Sequence, residues 1–348
     1  MRLVDGRGQP YLGRASWTHF ILYRRTSGAA RRGSDNALLR VTFLGTASAR
    51  PTPSRNVSSV ALQREGDFYL LDCGEGTQRQ MMRYAVGFAV RGIYVTHMHA
   101  DHYLGITGLL RTLSLQGREE ELTIWGPEGS EPTLRDTVQL GGDRLSFVVN
   151  VAEIPPGSVQ RFEGYTITTY STRHTSESMG LVLQEDDRLG RFDVERAREM
   201  GVPEGRMFGQ LHRGEAVELP DGGIVHPDDV VGPPRPGRKL VYTGDTRPCQ
   251  ATVDAAVAAD LLIHEATFGQ DDGDRARATG HSTATEAAGV AEQAGVRELI
   301  LTHLSARYAE QSYVLRREAR SVFGRTRVAD DGLLVEVPLQ HEPAEPER

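Results

Sequence analysis

The sequence predicts an α/β protein of stacked layers with sheet in the middle, and three observations carry that prediction. Short apolar runs bounded by turn residues recur along most of the chain. A few longer amphipathic runs are interspersed among them, and several of the short runs end on a histidine or an aspartate. The 348 residues are 39% hydrophobic and 25% charged, an ordinary globular composition with room for one large domain or two modest ones.

Taken in order, strands are expected at 38–45 (LLRVTFLG), 58–63, 67–74, 92–97 (GIYVTH), 121–126, 145–154, 165–174 and 179–185. They continue at 239–245 (KLVYTGD), 259–267, 297–305 (RELILTHLS) and 331–339. Helices fit at 76–87, 99–114, 281–296 and 307–324. The third carries a capping-box pattern from Thr283 to Glu286 and a stop at Gly295.

Residues 1–38 are Arg/Gly/Ser-rich and read as a loosely ordered N-terminal extension, and 341–348 as a C-terminal tail, leaving 39–340 as the main domain. Within it, 190–237 breaks the rhythm with six prolines and many glycines, around a short helix candidate at 192–201 that stops at Gly201. A long insertion of this kind is usually disordered or functional.

No stretch approaches the roughly 20 unbroken apolar residues of a membrane span. Two cysteines, Cys73 and Cys249, make no disulfide framework, so a reducing cytoplasm is the expected compartment. The formal net charge of −7 provides no global attraction for nucleic acid, although a local basic patch remains compatible with it.

THMHADH, residues 96–102, crowds three histidines and an aspartate at the end of an apolar run. Such crowding is costly unless a cation offsets it. His97 and His99 leave a strand end two residues apart, and Asp101 and His102 follow in the turn into a helix, so the four can serve two neighbouring metals. Three further candidates, His174, Asp245 and His303, stand at other strand ends. HxHxDH is a strong signal only with these companions.

This constellation resembles the metallo-β-lactamase superfamily. The resemblance implies an αββα sandwich with a di-zinc site: His97, His99 and His174 on one ion, Asp101, His102 and His303 on the other, Asp245 bridging, and Asp72 orienting ligand histidines from behind. Manganese also suits His/Asp ligands.

LGTASARPTPSRNVSS (44–59), DCGEGTQRQ (72–80), LLIHEATF (261–268), GHSTA (280–284) and THLSARY (302–308) together resemble the tRNase Z family over residues 41 to 337. That resemblance implies a zinc-dependent endoribonuclease that removes the 3′ trailer of precursor tRNA by hydroxide attack. The products are a tRNA 3′-hydroxyl and a trailer 5′-phosphate, and the enzyme is commonly a homodimer. It makes Asp101 the proton acceptor for water and Glu265 with His281 the pair that protonates the leaving ribose oxygen. Arg55, Asn56, Thr77, Gln78, Arg307 and Tyr308 become candidate substrate contacts. His264 beside Glu265 points to the other strand face and is read as structural.

The insertion takes the position of the family's tRNA-gripping arm but departs in content. Arg206 stands where a proline is usual, His212 where a lysine is common, and acidic residues outnumber basic ones. The alternatives are a phosphodiesterase of the same superfamily acting on small diesters, or a non-catalytic RNA-binding relative.

Overall fold

In the computed structural model, residues 38–142 and 144–339 are described; the expected tail, and all of the expected extension but Leu38, lie outside them. The chain builds a first sheet from β1 (Leu39–Gly45), β2 (Ser59–Arg64), β3 (Asp67–Leu71), β4 (Gly92–Tyr94), β5 (Leu122–Gly126) and β6 (Val149–Glu153). It crosses to a second through β7 (Val159–Phe162), β8 (Tyr165–Ser171) and β9 (Met179–Glu185). After a small ribbon of β10 (Val217–Glu218) and β11 (Ile224–Val225), the second sheet continues with β12 (Lys239–Tyr242), β13 (Leu261–Glu265), β14 (Leu299–Thr302) and β15 (Thr326–Val328). The last strand, β16 (Leu334–Glu336), returns to the first sheet. The orders are β16-β1-β2-β3-β4-β5-β6 and β15-β14-β13-β12-β9-β8-β7.

The period-2 alternation of strands explains the layering. On one face of the first sheet Val41, Phe43, Leu62, Tyr69 and Tyr94 pack against Ile167, Leu183, Leu240, Tyr242 and Ile263 of the second. The intervening residues Leu44, Ala61, Leu70, Ile93 and Ile124 point outward and are covered by helices. Strands buried on both faces therefore read as continuous apolar runs. Each fully buried Leu, Ile, Val or Phe contributes about 1.5–3 kcal/mol.

The helices over the first sheet are α1 (Thr77–Arg83), α2 (Ala100–Tyr103), α3 (Gly105–Leu115) and α4 (Glu131–Gln139), which contribute Met81, Ile106, Leu109, Leu110 and Leu134. After α5 (Val194–Glu199) and α6 (Arg206–His212) come α7 (Gln250–Ala256), α8 (Gly273–Thr279), α9 (Ala284–Ala294) and α10 (Ser312–Arg320). The alanine face of α9 (Ala284, Ala287, Ala288, Ala291) allows close approach to Leu262, Leu299 and Leu301. Its capping box forms as expected: Glu286 N–H donates to Thr283 Oγ1 at 3.2 Å, and Thr283 N–H donates to Glu286 Oε2 at 2.9 Å. Gly295 ends the helix at φ 62°. The molecule is thus the αββα sandwich of the metallo-β-lactamase fold.

The insertion is a folded module. α5 ends before Gly201 at φ 75°, and Ala197, Val202, Leu211, Val217, Val225 and Val230 form a core of their own. His212 accordingly serves the module from within, its Nε2 lying 3.0 Å from Gly190 O. The two ends of the module meet, because Arg188 and Arg235 exchange backbone hydrogen bonds at 2.8 and 2.9 Å. Just below, Arg238 forks onto Glu185 at 2.6 and 2.8 Å and Arg64 adds a third contact at 2.7 Å. Burial alone would push the Glu185 carboxyl up; the two guanidinium groups outweigh it and hold it below its ordinary range.

Candidate metal centre

The candidate residues sit where strands end. Asp72 follows β3, His97 and His99 follow β4, His174 follows β8, Asp245 follows β12, Glu265 closes β13 and His303 follows β14. Strand ends free side chains from ladder geometry while the sheet holds their Cα atoms, so convergence costs little local order. The backbone is bent to suit: Asp72 and His303 adopt left-handed φ of 59° and 58°. Gly244, at φ 60°, passes so close to Thr96 that a Cβ there would lie 2.8 Å from it.

Seven candidates converge in two groups. His97, His99, His174 and Asp245 each offer an atom within 4.8 Å of the others, and so do Asp101, His102 and His303; Asp245 also groups with His303 and His281. His97 Nε2 faces His99 Nδ1 at 3.0 Å, and His174 Nε2 faces the same atom at 3.2 Å. Asp101 Oδ2 lies 3.3 Å from His303 Nε2. Asp245, 2% exposed, places Oδ2 3.5 Å from His97 Nε2 and 3.4 Å from His102 Nε2.

The donor set fits metal ions. Among the described residues, His102 Nε2 and Asp245 Oδ1 are buried without a hydrogen bond. Orphaned polar atoms of this kind are costly in a folded interior. Imidazole nitrogens and carboxylate oxygens turned inward on one another are satisfied together by cations, and hard-to-borderline N/O ligands of this kind suit zinc or manganese.

The other ring nitrogens are tied down from behind. Asp72, fully buried, accepts from His102 Nδ1 at 2.8 Å, from Thr96 N at 2.8 Å and from Tyr242 Oη at 2.8 Å. His174 Nδ1 donates to Gly280 O at 2.8 Å, leaving Nε2 for the cluster. Burial lowers the His97 pKa well below the ordinary imidazole range. Burial also opposes charge on His102, yet Asp245 and Asp72 outweigh it and raise that pKa well above normal. For Asp245 burial favours the neutral form, and the surrounding His303, His102 and His97 overcome it.

Glu265 and His281 come together beside this cluster. Glu265, 1% exposed, accepts from His281 Nδ1 at 2.8 Å and from Thr246 N at 3.0 Å on one oxygen. Its other oxygen accepts from Thr267 N and Oγ1 at 3.0 and 2.9 Å. Burial would lower the His281 pKa, but the Glu265 carboxylate pushes it up to about 9. His264 points away, buried, with Nδ1 2.7 Å from Glu265 O.

The expected substrate contacts divide. Arg55 is 4% exposed, and its guanidinium donates to Thr46 Oγ1 and Ala329 O and pairs with Asp330, so its fork faces inward. Thr77 is likewise buried, its hydroxyl donating to Gly74 O at 2.7 Å. Asn56 Nδ2 donates to Glu75 O at 2.8 Å. The amide oxygen of Gln78 is buried, and the side chain lies against Gly108. Arg307 and Tyr308 both clasp Asp272, at 2.7 and 2.6 Å, but Arg307 stays 40% exposed. Sequence reasoning gave no role to Tyr242 or Thr267, which buttress Asp72 and Glu265; Tyr242 immediately precedes the TGD stretch and Thr267 is the last residue of HEAT, and that placement is the available signal.

A sandwich of two sheets with convergent His/Asp donors at its strand ends defines a metallo-β-lactamase-fold hydrolase. Residues 229–304 match the model of the Beta-lactamase superfamily domain, and residues 39–193 that of the Anti-Pycsar protein Apyc1. The chain is 52% identical to Ribonuclease Z of Gemmatimonas aurantiaca over 88% of its own length and 98% of that protein. It is 53% identical to Ribonuclease Z of Halorubrum lacusprofundi over 86% of its length and 98% of that protein. The human tRNase Z, short form, superposes with a TM-score of 0.63 at 28% identity, covering 86% of this chain and all of that one. The chain belongs to the ribonuclease Z family.

Proposed function

We propose that this protein is the endoribonuclease that removes the 3′ trailer from precursor tRNA, leaving a tRNA 3′-hydroxyl and a trailer 5′-phosphate. The observation that carries the reading is buried Glu265 paired with the partly exposed His281, opening beside the seven-residue His/Asp cluster. A cluster alone serves many hydrolases; an imidazole charged by its own carboxylate adds an acid for a poor alkoxide leaving group. Family membership supplies the substrate class.

His97, His99 and His174 would hold one zinc, Asp101, His102 and His303 a second, with Asp245 shared. Manganese satisfies the same donors. Bound there, the ions would supply Lewis acidity, lowering the pKa of a water and screening phosphate charge. Burial works against charge on Asp101, but His303 and His102 outweigh it and keep the carboxylate ionised, so that it would be placed as the proton acceptor for the attacking water. Asp72 keeps His102 oriented, and Gly280 O does the same for His174. His281 delivers its proton to the departing ribose oxygen while Glu265 stabilises the imidazolium.

The module over 190–237 serves as the exosite for the body of the tRNA. Arg307 remains open enough to meet a phosphate; Arg55 acts by tying its loop to 329–330. Among the described residues no helix is long and apolar enough to cross a membrane. We assign the protein to the cytoplasm and to a homodimer on the family's precedent.

The deciding experiment uses precursor tRNAs with and without encoded CCA, mapping the new 3′ end with and without a chelator. Metal-dependent cleavage near the discriminator nucleotide supports the assignment. Intact precursors alongside hydrolysis of bis(p-nitrophenyl) phosphate would leave the chemistry standing and remove the substrate.

A further inference from the structure

A cavity of about 390 Å³ opens beside the cluster, lined by Arg173, His174, Thr175, Arg247, Arg277 and Gly280. Its wall contains three arginines and no acid. Arg173 and Arg247 form an antiparallel backbone bridge, Arg247 N–H donating to Arg173 O at 2.7 Å, so two like charges lie directly across from each other. Such a pairing is destabilising unless something neutralises it.

Among the described residues, only one of the two is neutralised from within. The Arg247 guanidinium forks onto Glu286 at 2.9 and 2.6 Å and donates to His281 O at 2.7 Å, which fixes its position. Arg173 receives no such carboxylate and is held through its backbone, its N–H donating to Thr246 Oγ1 at 3.0 Å. Arg277 is 63% exposed and pairs with Asp274, itself 97% exposed, an i,i+3 surface contact that exchanges readily with another anion.

One residue joins the cavity to the chemistry. His174 lines it, anchors Nδ1 on Gly280 O and turns Nε2 into the cluster. Gly280, which immediately precedes His281, is in the left-handed region at φ 75°, and a Cβ there would come 2.9 Å from Thr175 and 3.1 Å from His174. A side chain at 280 would therefore crowd the neck between cavity and site.

We propose that this cavity is a phosphate subsite for the RNA strand on the leaving-group side, with Arg173 and Arg277 as positioning residues. The inference rests on the tRNA-processing reading. His281 protonates the leaving 3′-oxygen, so the strand beyond His281 is the tRNA body. The cavity that shares Gly280 and Arg247 with His281 then receives the backbone phosphate next to the scissile one on that side. Arginine forks suit two phosphate oxygens at once.

The test uses the full-length, metal-loaded protein, with Arg173→Ala, Arg173→Lys and Arg277→Ala. Filter binding of mature tRNA, which carries no trailer, is measured over a salt series beside kinetics on precursor tRNA and on bis(p-nitrophenyl) phosphate. Each alanine variant is expected to weaken tRNA binding about 5- to 20-fold at low salt, to lower the log–log salt slope by about one, and to raise KM more than it lowers kcat. Arg173→Lys should recover much of the affinity, and losses on the small diester should be several-fold smaller than on the precursor. Unchanged affinity and slope in both alanine variants would overturn the subsite. So would equal losses on both substrates, which would indicate a disturbed His174. A wild-type protein that hydrolyses the diester but ignores both RNAs would instead overturn the nuclease reading, and the subsite with it.

Discussion

Glu265 accepts the Nδ1 proton of His281 at 2.8 Å from a position only 1% exposed, and its other hydrogen bonds come from Thr246 N and from Thr267 N and Oγ1. The carboxylate is therefore fixed in place whether or not the imidazole is there, and its charge raises the imidazole's proton affinity.

Glu265→Gln should keep the shape of this corner and remove its charge. Turnover on precursor tRNA is expected to fall roughly 10²- to 10⁴-fold, the range for losing a positioned acid. Metal content, read by atomic emission, should stay near that of the parent. Parallel loss of metal and turnover would make Glu265 a support of the cluster and remove its part in proton delivery.

Asp72 offers a separable prediction, because it holds His102, Thr96 and Tyr242 but is not among the grouped donors of the cluster. Asp72→Asn should weaken metal affinity about 10- to 100-fold, the usual effect of losing a carboxylate behind a ligand histidine. Titration against a competing chelator measures it. An unchanged affinity would mean that packing alone orients His102.

That the cluster could be read from the sequence while the inward hydrogen bonds of Arg55 could not has a physical basis. A strand-end histidine or aspartate is conspicuous because the strand pattern before it fixes where it stands: a mostly apolar run in β4, β12 and β14, and a period-2 alternation in β8. Arg55 carries no such frame: its partners Ala329 and Asp330 lie 274 and 275 residues away, and nothing local announces them. The unforeseen helices α4, α6, α7 and α8 are seven to nine residues long, too short to form on propensity alone. Packing creates them. The proline- and glycine-rich insertion hid its order for the same reason, since its core of six small and medium apolar residues is scattered over 197–230.

The Glu185–Arg238 pair predicts an acid-labile root for the insertion. Burial raises the Glu185 pKa and the two arginines more than reverse it, so the folded value lies below the unfolded one. A depressed carboxylate contributes stability above its unfolded pKa, near the ordinary 4.5, and that contribution is lost as pH falls through the lower folded value. Glu185→Gln, leaving Arg238 buried and unpaired, should cost about 3 kcal/mol at pH 7. Denaturation of parent and variant between about pH 7 and pH 3 should show the two curves converging on the acid side. Parallel curves would mean that the pair contributes nothing that titrates.

Because Arg188 and Arg235 exchange hydrogen bonds at 2.8 and 2.9 Å, the insertion can be removed at its neck without pulling on the sheets. Deleting residues 189–234 and joining the two arginines through Asn-Gly matches the two-residue turn that an antiparallel pair accepts. Glu185, Arg238 and β12 stay in place beneath it. The trimmed protein should hydrolyse bis(p-nitrophenyl) phosphate within a fewfold of the parent, because no residue of the His/Asp cluster lies in the excised segment. Its KM for precursor tRNA should rise at least tenfold if the module grips the tRNA body. Comparing the two substrates in one preparation separates the outcomes: loss of both would make the module a structural support of the site, and loss of neither would leave it without a part in tRNA binding.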